Sequence, residues 1–366
     1  MTEPLFAPLS FLHGPDMKNR FMLAPLTNLQ SHADGTLSDD EFRWLTYRAE
    51  GGFGLTMTCA AHVQAVGQGF PGQLGVFSDA HLPGLTRLAA AIRAAGSLAS
   101  VQLHHAGMRS PGEIVGQPVA PSEDAETGAR ALSAGEVEQL IEDFIAAAVR
   151  ADHAGFDGVE IHGAHGYILA QFLSPETNRR EDRFGGSLAN RMVPILEIIA
   201  GIRARCRPDF QLGLRLSPER FGLVLGEMIE VSRILLAAQD IDFLDMSLWD
   251  VDKAPNDPAF AGRTLMSCFS ELDRGGVRLG VAGKITSGSV AARMLAEGAD
   301  FVLLGRAAIL HHDFPVRVRA DPAFVQATLP VPRAHLEAEG LGAKFVDYMS
   351  TWKGFVQEPQ TSDAPA

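Results

Sequence analysis

The sequence predicts an α/β protein of the (β/α)8 TIM-barrel class, and three observations lead to this prediction. Short apolar runs that resemble buried strands alternate with helical patterns, and eight such runs occur between about residues 20 and 320. No shift in composition marks a domain boundary before about residue 330. Polar side chains recur at the carboxyl ends of these runs, where parallel strands present ligand-binding residues. We therefore expect a single domain over residues 1–366.

The helix and strand signals follow one another along the chain. Residues 5–20 predict a short hairpin that caps the barrel. Ser38, followed by three acidic residues, predicts a helix start, and Ser133 with Glu136 forms a capping box that predicts another. Residues 334–366 form a C-terminal extension with one amphipathic stretch and a polar tail that we expect to be frayed. The predicted strands cover residues 21–24, 54–58, 99–103, 158–161, 211–216, 241–246, 278–281 and 301–304; the predicted helices cover 38–50, 82–95, 133–154, 187–205, 226–238 and 287–297.

Two segments interrupt this alternation. Residues 107–132 are rich in Gly, Pro, Ser and acidic residues and predict an excursion loop over the site. Gly67, Gly69 and Gly72 match the Gly-x-Gly-x-x-Gly pattern of dinucleotide-binding proteins, but Pro71 lies inside the motif and no helix opens on it. We interpret the glycine segment as a mobile loop at the barrel mouth rather than a nucleotide site.

Composition and charge limit the partners of the protein. The formal charge of −13 and the sequence pI near 5.4 argue against a nucleic-acid or anionic-membrane partner, since both require a basic surface. The chain shows no secretory signal and no apolar run of about 18 residues, which predicts a cytoplasmic protein. Cys59, Cys206 and Cys268 supply too few ligands for a structural zinc or an iron–sulfur cluster, which need about four. We expect a small-molecule substrate and leave a homo-oligomer open.

The segment from Gly158 to Tyr167 carries the chemistry that the barrel positions. Its strand leads to His162, and His165 and Tyr167 follow. A helical turn here would place the two imidazoles on one face, about 5–6 Å apart between Cβ atoms, so that both converge on one electronegative atom. Tyr167 would then point to a different atom of the same ligand. This arrangement predicts a substrate site.

Two glycine–cation pairs follow the last two predicted strands. Gly283-Lys284 and Gly305-Arg306 occupy the usual phosphate position of this fold, since glycine lets backbone N–H groups approach and the cations supply charge. Ordinary glycine caps beside surface cations are the alternative, and Lys284 would also suit a Schiff base. The position in the barrel and the Gly-rich surroundings favour a phosphorylated ligand.

Arg215, Gln102 and Thr27 follow or end three other strands. A guanidinium at this position would stabilise negative charge on an electron-rich ring as it is reduced. Gln102 and Thr27 are neutral groups of the kind that bind the amide edge of a heterocycle. Alone, Arg215 is also explained by a structural salt bridge, and Gln102 and Thr27 are more often satisfied polar groups of the core. Together with the phosphate position, they suggest FMN.

A zinc site is the competing interpretation of the histidines. His162 and His165, with His104 and His105, would supply imidazole ligands. The carboxylate that such a site usually adds is missing, apart from Glu160, which should face the opposite way from its neighbour in the strand. We therefore favour a substrate site over a metal site.

Six segments, in the expected order, resemble the sequence blocks of the Old Yellow Enzyme family. They are NRFMLAPLT at 19–27, QLHHAG at 102–107, HGAHGY at 162–167, FLSPETN at 172–178, RFGGSLANR at 183–191 and LGR at 304–306. The similarity spans about residues 5 to 330, and the combination is far more specific than any single block. Members of this family are FMN-dependent NAD(P)H:flavin oxidoreductases, or ene-reductases, with a TIM-barrel fold.

The resemblance implies a role for each candidate residue. The residues that would contact the isoalloxazine ring of FMN are Pro25, Leu26, Thr27, Ala60, Gln102 and Arg215. Those that would hold its phosphate are Gly283, Lys284, Gly305 and Arg306. His162 and His165 would bind the oxygen of an α,β-unsaturated carbonyl or nitro group, so that hydride from reduced flavin N5 reaches the β-carbon. Tyr167 would protonate the α-carbon, and NAD(P)H would reduce the flavin again in the same pocket. We expect Trp249 and residues 107–132 to shape substrate specificity.

The chain also departs from the family pattern. Thr27 and Leu29 stand where some bacterial members carry Cys and Tyr, and residues 334–366 lack the arginine that one subclass inserts into a neighbouring subunit. These departures leave the subclass and the oligomeric state open. The alternatives within the class are nitro-ester reduction and demethylation. Outside it stand a metal-dependent hydrolase and a non-catalytic FMN-binding module, and Tyr167 argues against the latter because binding alone needs no acid.

Overall fold

The computed structural model describes residues 2–358, which form a closed barrel of eight parallel strands surrounded by helices. The barrel strands are β1 Phe21–Leu23, β2 Leu55–His62, β3 Leu98–His104, β4 Gly158–Gly163, β5 Gln211–Leu216, β6 Phe243–Ser247, β7 Arg278–Ala282 and β8 Phe301–Leu304. Each strand pairs with the next in the chain, and β1 closes the barrel against β8 with Phe21 opposite Val302. The predicted (β/α)8 fold is confirmed.

Helices connect these strands on the outside of the barrel. They are α1 Asp39–Glu50, α2 Leu82–Ala94, α3 Gly112–Val115, α4 Ala134–His153, α5 Ile168–Leu173, α6 Leu188–Arg205, α7 Leu225–Ala238, α8 Leu265–Ser270, α9 Gly288–Ala296, α10 Arg306–Leu310, α11 Phe314–Ala320, α12 Arg333–Ala338 and α13 Ala343–Ser350. Short 3-10 helices cover Glu3–Phe6, Ala65–Gly67, Asp79–His81, Gly107–Arg109 and Pro258–Phe260. Within residues 2–358, none of the helices is long and apolar enough to span a membrane.

Side-chain caps fix several helix starts. Ser38 Oγ accepts a hydrogen bond from the Glu41 backbone N–H at 3.1 Å at the start of α1. Ser133 and Glu136 complete the predicted capping box of α4, and Ser287 caps α9. Each cap satisfies an N–H group that has no partner inside the helix, and it contributes about 1 kcal/mol. The sequence therefore places these boundaries to within one or two residues.

An apolar plug closes the amino-terminal end of the barrel. Leu9 and Met17 exchange two backbone hydrogen bonds of 2.9 Å, which form the predicted hairpin. Phe11 lies between them in the chain, and its ring centre is 6.0 Å from that of Phe243 and 6.4 Å from that of Phe301. Those two phenylalanines begin β6 and β8. The bottom plug, as we call these five residues, thus seals the end opposite the strand carboxyl termini.

The predicted excursion loop has structure of its own. Residues 107–132 contain α3 and a two-stranded parallel pair that joins Val119–Ala120 to Arg130–Ala131. The Arg180 guanidinium donates to the Pro121 carbonyl at 2.8 Å and so ties this excursion to the side of the barrel. The segment was predicted to lie over the site, and Arg109 near its start lines the cavity described below.

The glycine segment after β2 is tightly packed. An added Cβ on Gly67 would collide with the His105 ring, and one on Gly72 would lie 2.6 Å from the Leu29 carbonyl oxygen. Gly72 also has a φ of 65°, a conformation that disfavours larger residues. The Gly67 carbonyl accepts the Ala106 N–H and the Gly72 carbonyl accepts the Ser31 N–H, each at 2.9 Å. The segment expected to be a mobile loop is therefore packed and hydrogen-bonded at both ends.

The C-terminal extension docks on the barrel through its amphipathic stretch. That stretch forms α13, and the ring centres of Phe345 and Trp44 are 4.9 Å apart. The Gly342 backbone N–H donates to Gln30 Oε1 at 2.8 Å, which ties the extension to the loop after β1. The predicted frayed tail beyond residue 358 lies outside the described residues.

Candidate active site

One cavity of about 1070 Å³ opens at the carboxyl ends of the barrel strands. Sites for one small molecule usually measure about 300–1,000 Å³, so this cavity has room for a cofactor and a substrate together. Every residue singled out in the sequence for catalysis or binding lines it: Pro25, Leu26, Thr27, Ala60, Gln102, His162, His165, Tyr167, Arg215, Trp249, Gly283, Lys284, Gly305 and Arg306.

His162 and His165 converge, but not through a helical turn. β4 continues to Gly163, and His165 adopts a left-handed backbone with a φ of 59°, followed by Gly166 at 71°. The resulting turn brings Nε2 of His162 to 3.2 Å from Nδ1 of His165. The helical geometry expected here was wrong. Left-handed residues other than glycine are strained, and such strain is concentrated at functional sites.

Hydrogen bonds restrict the protonation of both rings. The Ala164 backbone N–H donates to His162 Nδ1 at 3.3 Å, so a neutral His162 carries its proton on Nε2, towards the other ring. His165 Nε2 lies 2.7 Å from Ser247 Oγ. The His165 backbone N–H donates to Ser217 Oγ at 3.0 Å, which fixes the turn. A proton on His162 Nε2 makes His165 Nδ1 the acceptor of the 3.2 Å contact, so His165 carries its proton on Nε2, towards Ser247 Oγ.

The histidines and the tyrosine are uncharged. Burial lowers the pKa of His162 well below its ordinary value, and the charges of His165 and Arg215 lower it further. Burial and the Arg215 charge likewise hold the pKa of His165 well below the ordinary range. Burial raises the pKa of Tyr167, although the nearby Arg109 charge opposes that shift. The site therefore contains two neutral imidazoles and one un-ionised phenol at neutral pH.

Tyr167 is held by rings on two sides. Its ring centre lies 5.0 Å from that of His162 and 4.4 Å from that of His104, both in edge-to-face geometry. The Arg109 guanidinium carbon lies 4.9 Å from the centre of the same ring. These contacts fix the phenol beside the imidazole pair.

A buried acid cluster lies beneath the cavity. We use this name for Gln102, Glu160, Arg215 and Asp245, which point into the barrel from β3 to β6. Gln102 Nε2 donates to Glu160 Oε1 at 2.7 Å, and Arg215 Nε lies 2.9 Å from Asp245 Oδ2. Burial and the Asp245 charge raise the pKa of Glu160, while Arg215 opposes the rise at both carboxyls. One guanidinium cannot offset two buried carboxylates, so Glu160 retains a proton.

A phosphate corner lies where β7 and β8 end, formed by Gly283, Lys284, Gly305 and Arg306. A Cβ on Gly283 would lie 2.8 Å from the Asp250 backbone nitrogen, so glycine is required there for close approach. Lys284 Nζ lies 2.6 Å from Asp250 Oδ2 and is already paired. Arg306 has no carboxylate within 4.0 Å among residues 2–358. Arg306 is thus the more available cation for a phosphate.

The remaining wall of the cavity fits a planar heterocycle. The loop after β1 presents Pro25, Leu26 and Thr27, and Ala60 and Gln102 lie opposite each other on β2 and β3. A register shift between residues 57 and 60 of β2, a bulge, redirects the chain here. This wall combines apolar surface with a hydroxyl, an amide and the Arg215 guanidinium, and the phosphate corner lies beyond it. These groups match the contacts that FMN requires.

Sequence reasoning missed several cavity residues. Arg220 and Phe221 line the cavity from the loop after β5, where both have positive φ values of 75° and 56°. The neighbouring residues gave no local signal for this turn except Gly222, which follows it. Asp245 gave a clearer signal that we missed, since an acid inside an apolar strand demands a buried partner. Helix α13 adds Tyr348 and Met349 to the wall, and the turn after it adds Trp352. The docking of α13 depends on tertiary packing.

The histidines at the barrel mouth do not gather into the alternative zinc site. Within residues 2–358, two other groups of three residues have candidate ligand atoms within 4.8 Å of one another. One is His311, His335 and Glu339, and the other is His312, Asp313 and Glu339. His311 Nε2 accepts the Ala327 N–H at 2.8 Å, so a neutral His311 keeps its proton on Nδ1 and cannot offer that atom to a metal. The zinc interpretation is not supported.

The eight-stranded barrel carries a phosphate corner, a wall suited to a heterocycle and a neutral His–His–Tyr group. Together, these features indicate a flavin-binding oxidoreductase. Residues 4–323 match the sequence model of the NADH:flavin oxidoreductase / NADH oxidase family. The chain belongs to this family, the Old Yellow Enzyme family, as its sequence blocks suggested.

Individual relatives agree with this assignment. The chain is 38% identical over 329 residues to the probable NADH-dependent flavin oxidoreductase YqiG of Bacillus subtilis, covering 87% of this chain and 88% of that protein. The Old Yellow Enzyme homologue of Zymomonas mobilis superposes with a TM-score of 0.78 and 28% identity, over 94% of this chain and 99% of that one. A 2-naphthoyl-CoA reductase gives a TM-score of 0.80 and 28% identity over 87% of this chain but 52% of that chain, so the chain spans about half of that structure. The protein is an FMN-dependent NAD(P)H flavin oxidoreductase.

Proposed function

We propose that the protein is an ene-reductase that reduces the activated C=C bond of α,β-unsaturated carbonyl compounds or nitroalkenes. The observation that carries this proposal is the approach of two neutral imidazoles to 3.2 Å beside an un-ionised, buried tyrosine. When bound, FMN supplies the hydride that NAD(P)H has delivered to it. The residues of this chain supply substrate orientation and the proton.

His162 and His165 bind the substrate oxygen. Two N–H groups that point at a carbonyl or nitro oxygen withdraw electron density from the conjugated alkene and stabilise the negative charge that develops there. His162 already carries its proton on the inward Nε2. When the substrate oxygen replaces the direct contact between the two rings, His165 presents an inward N–H in the tautomer whose Nε2 accepts from the Ser247 hydroxyl, 2.7 Å away. Ser247 is therefore a positioning residue that selects the useful tautomer.

Tyr167 donates the proton that completes the reduction. Its raised pKa keeps the phenol protonated, and its contacts with His162 and His104 hold it beside the substrate oxygen site. A positioned acid of this kind usually accelerates proton transfer by about 10²–10⁴-fold. Nitro-ester reduction and demethylation would use the same histidines, but neither reaction protonates a carbon atom. The buried phenol therefore favours alkene reduction.

The cofactor would be held at both ends of the cavity wall. Thr27, Gln102 and Arg215 would bind the polar edge of the ring, and Arg215 would stabilise negative charge on the reduced ring. Pro25, Leu26 and Ala60 would supply apolar contact. The phosphate corner would bind the phosphate, chiefly through Arg306 and the backbone next to Gly283 and Gly305, because Lys284 shares its charge with Asp250.

The Tyr167→Phe variant tests this proposal. Anaerobic stopped-flow spectra would follow the two half-reactions separately, with NADH bleaching the flavin bands and 2-cyclohexen-1-one restoring them. We expect the variant to slow the alkene half-reaction about 10²–10⁴-fold while NADH still bleaches the flavin at nearly the wild-type rate. Tyr348→Phe, which removes the other phenol of the cavity, is the matched control and should retain alkene reduction. Equal losses in both half-reactions of Tyr167→Phe would contradict the proton-donor role.

A further inference from the structure

We propose that Arg109 and Arg220 form an anion-binding site at the substrate end of the cavity, which recognises a carboxylate or phosphate remote from the reacting atoms. This inference rests on the proposed function, because it adds a second contact to ligands whose reacting end lies at His162 and His165. The arginine rim, as we call this feature, consists of Arg109, Arg220, Phe221 and Trp249.

The two arginines are unpaired cations inside a cavity where the others are mostly paired. Within residues 2–358, neither Arg109 nor Arg220 has a carboxylate oxygen within 4.0 Å. Three further cations of the cavity do have such partners: Arg215 with Asp245, Lys253 with Glu219, and Lys284 with Asp250. The net charge of −13 makes acidic partners abundant. Two arginines left without one are therefore available to an anionic ligand.

Aromatic rings hold both guanidinium groups in place. The guanidinium carbons of Arg109 and Arg220 lie 5.8 and 5.5 Å from the centre of the Phe221 ring, so both converge on it. Arg220 also lies 4.4 Å from the centre of the Trp249 ring, and Arg109 donates a hydrogen bond to the His165 carbonyl. Stacking on a ring face leaves N–H groups at the guanidinium edge, and these match carboxylate and phosphate oxygens.

The backbone of the rim is strained and clamped. Arg220, Phe221 and Gly222 have consecutive φ values of 75°, 56° and 73°, and a positive φ at a bulky residue such as Phe is a genuine outlier. Such strain persists only where the surroundings over-determine it. Ser174 Oγ donates to the Gly222 carbonyl at 2.9 Å, and a Cβ on Gly166 would lie 2.9 Å from the Phe221 ring. The rim is thus built directly against the turn that carries the histidines.

The barrel order separates this site from the phosphate corner. Arg109 follows β3 and Arg220 follows β5, so the two arginines flank the turn after β4. In a closed ring of eight strands, β4 lies across from β8, after which Arg306 is placed. The FMN phosphate cannot occupy both places. An anion bound at the rim is therefore not the FMN phosphate, and its two sources are a carboxylate on the alkene substrate and a phosphate of the nicotinamide dinucleotide.

A matched pair of substrates tests the first source. We would compare a cyclic enone that carries a propanoate side chain with the methyl ester of the same compound. In wild-type enzyme, the acid should have the higher kcat/KM. In Arg109→Gln, Arg220→Gln and their double variant, the acid-to-ester ratio of kcat/KM should fall, by about tenfold in the double variant, as expected for two partly exposed ion pairs. Arg109→Lys should retain part of the preference because it keeps the charge but loses the planar fork.

The reductive half-reaction tests the second source. If the rim binds a phosphate of the dinucleotide, the apparent Kd for NADH in anaerobic flavin reduction should rise by about tenfold in the double variant, with the acid-to-ester ratio unchanged. Arg233→Gln, which removes an exposed arginine of α7 that is paired with Glu230, is the charge-matched control and should change neither quantity. An unchanged ratio together with an unchanged Kd for NADH would overturn the proposal.

The experiments distinguish a wrong assignment of alkene reduction from a wrong assignment of anion binding to the arginine rim. If reduced enzyme is reoxidised by neither acid nor ester nor 2-cyclohexen-1-one, alkene reduction is rejected. The rim is then tested by the NADH arm and by spectral titration of oxidised, FMN-loaded enzyme with 4-hydroxybenzoate and its methyl ester. A preference for the acid that the double variant loses supports the rim, and equal binding of both compounds with an unchanged NADH arm rejects it. FMN content of each variant shows that it has folded.

Discussion

The two ends of the barrel are built on the same eight strands by opposite rules. At the amino-terminal end, β6 and β8 begin with Phe243 and Phe301, which pack with Phe11 into the bottom plug. At the carboxyl end, β6 finishes at Ser247 and β8 leads into Arg306 in a polar cavity. In β6 and β8, the first residue thus packs in the apolar plug, whereas the residue at or just after the other end lines the cavity. Substitutions at the two ends should have separable effects.

The buried acid cluster lies between the two ends, at the boundary between the apolar interior of the barrel and the polar cavity. Glu160 and Asp245 are fully buried, which stabilises a fold only if each charge is paired or protonated. Burying these two acids near the cavity floor lowers the free energy of unfolding, whereas the apolar packing of the bottom plug raises it. The comparison therefore predicts which variants unfold the protein and which impair its reaction.

The largest expected effect is at the bottom plug. Phe301→Ala removes a ring packed against Phe11 and Phe243 and should lower the free energy of unfolding by about 3–5 kcal/mol. Urea unfolding of the FMN-loaded enzyme measures this loss. Turnover per bound FMN at low temperature should stay near the wild-type value. A normal unfolding free energy with impaired turnover would show that the two ends are not separable.

A smaller effect of the opposite kind is expected at Ser247. Ser247→Ala removes the hydroxyl that lies 2.7 Å from His165 Nε2 and should slow the alkene half-reaction about tenfold, which corresponds to about 1.4 kcal/mol. The unfolding free energy should change by less than about 1 kcal/mol, since one hydrogen bond contributes about that much. Ser247→Thr keeps the hydroxyl and should restore the rate. An alkene rate that is insensitive to both substitutions would exclude the proposed tautomer selection.

The last prediction concerns the pH dependence of stability and the buried acid cluster. Burial and the Asp245 charge raise the pKa of Glu160 to about 8, above its ordinary value of 4.5. The folded state therefore holds a proton that the unfolded state releases, so this contribution to stability is complete below pH 4.5 and is lost as pH rises through about 8. Glu160→Gln, which still accepts from Gln102, should flatten the fall of Tm between about pH 5 and pH 8. Glu113→Gln on the surface should leave the wild-type slope, and an equally steep slope in Glu160→Gln would assign the pH dependence to other groups.

The fold was largely predictable because its elements are coded locally. The strand Gln211–Leu216 and the start of α4 were predicted to within a residue, since an apolar run and a capping box are local signals. The cofactor and substrate candidates followed from strand ends. What the sequence did not reveal depends on backbone torsions and distant packing. A positive φ at His165 or Phe221 follows from contacts that enclose the residue, and nothing in its immediate neighbours codes for it except an adjacent glycine.

The pairing of β1 with β8 also has a consequence for biosynthesis. Ribosomes add about 5–20 residues per second, so β8 emerges roughly 15 to 60 seconds after the strand it must join. During that interval the edge of β1 has no partner on one side, and the loop that carries Thr27 has no phosphate corner beside it. The two parts of the proposed flavin site therefore come together only when β8 pairs with β1.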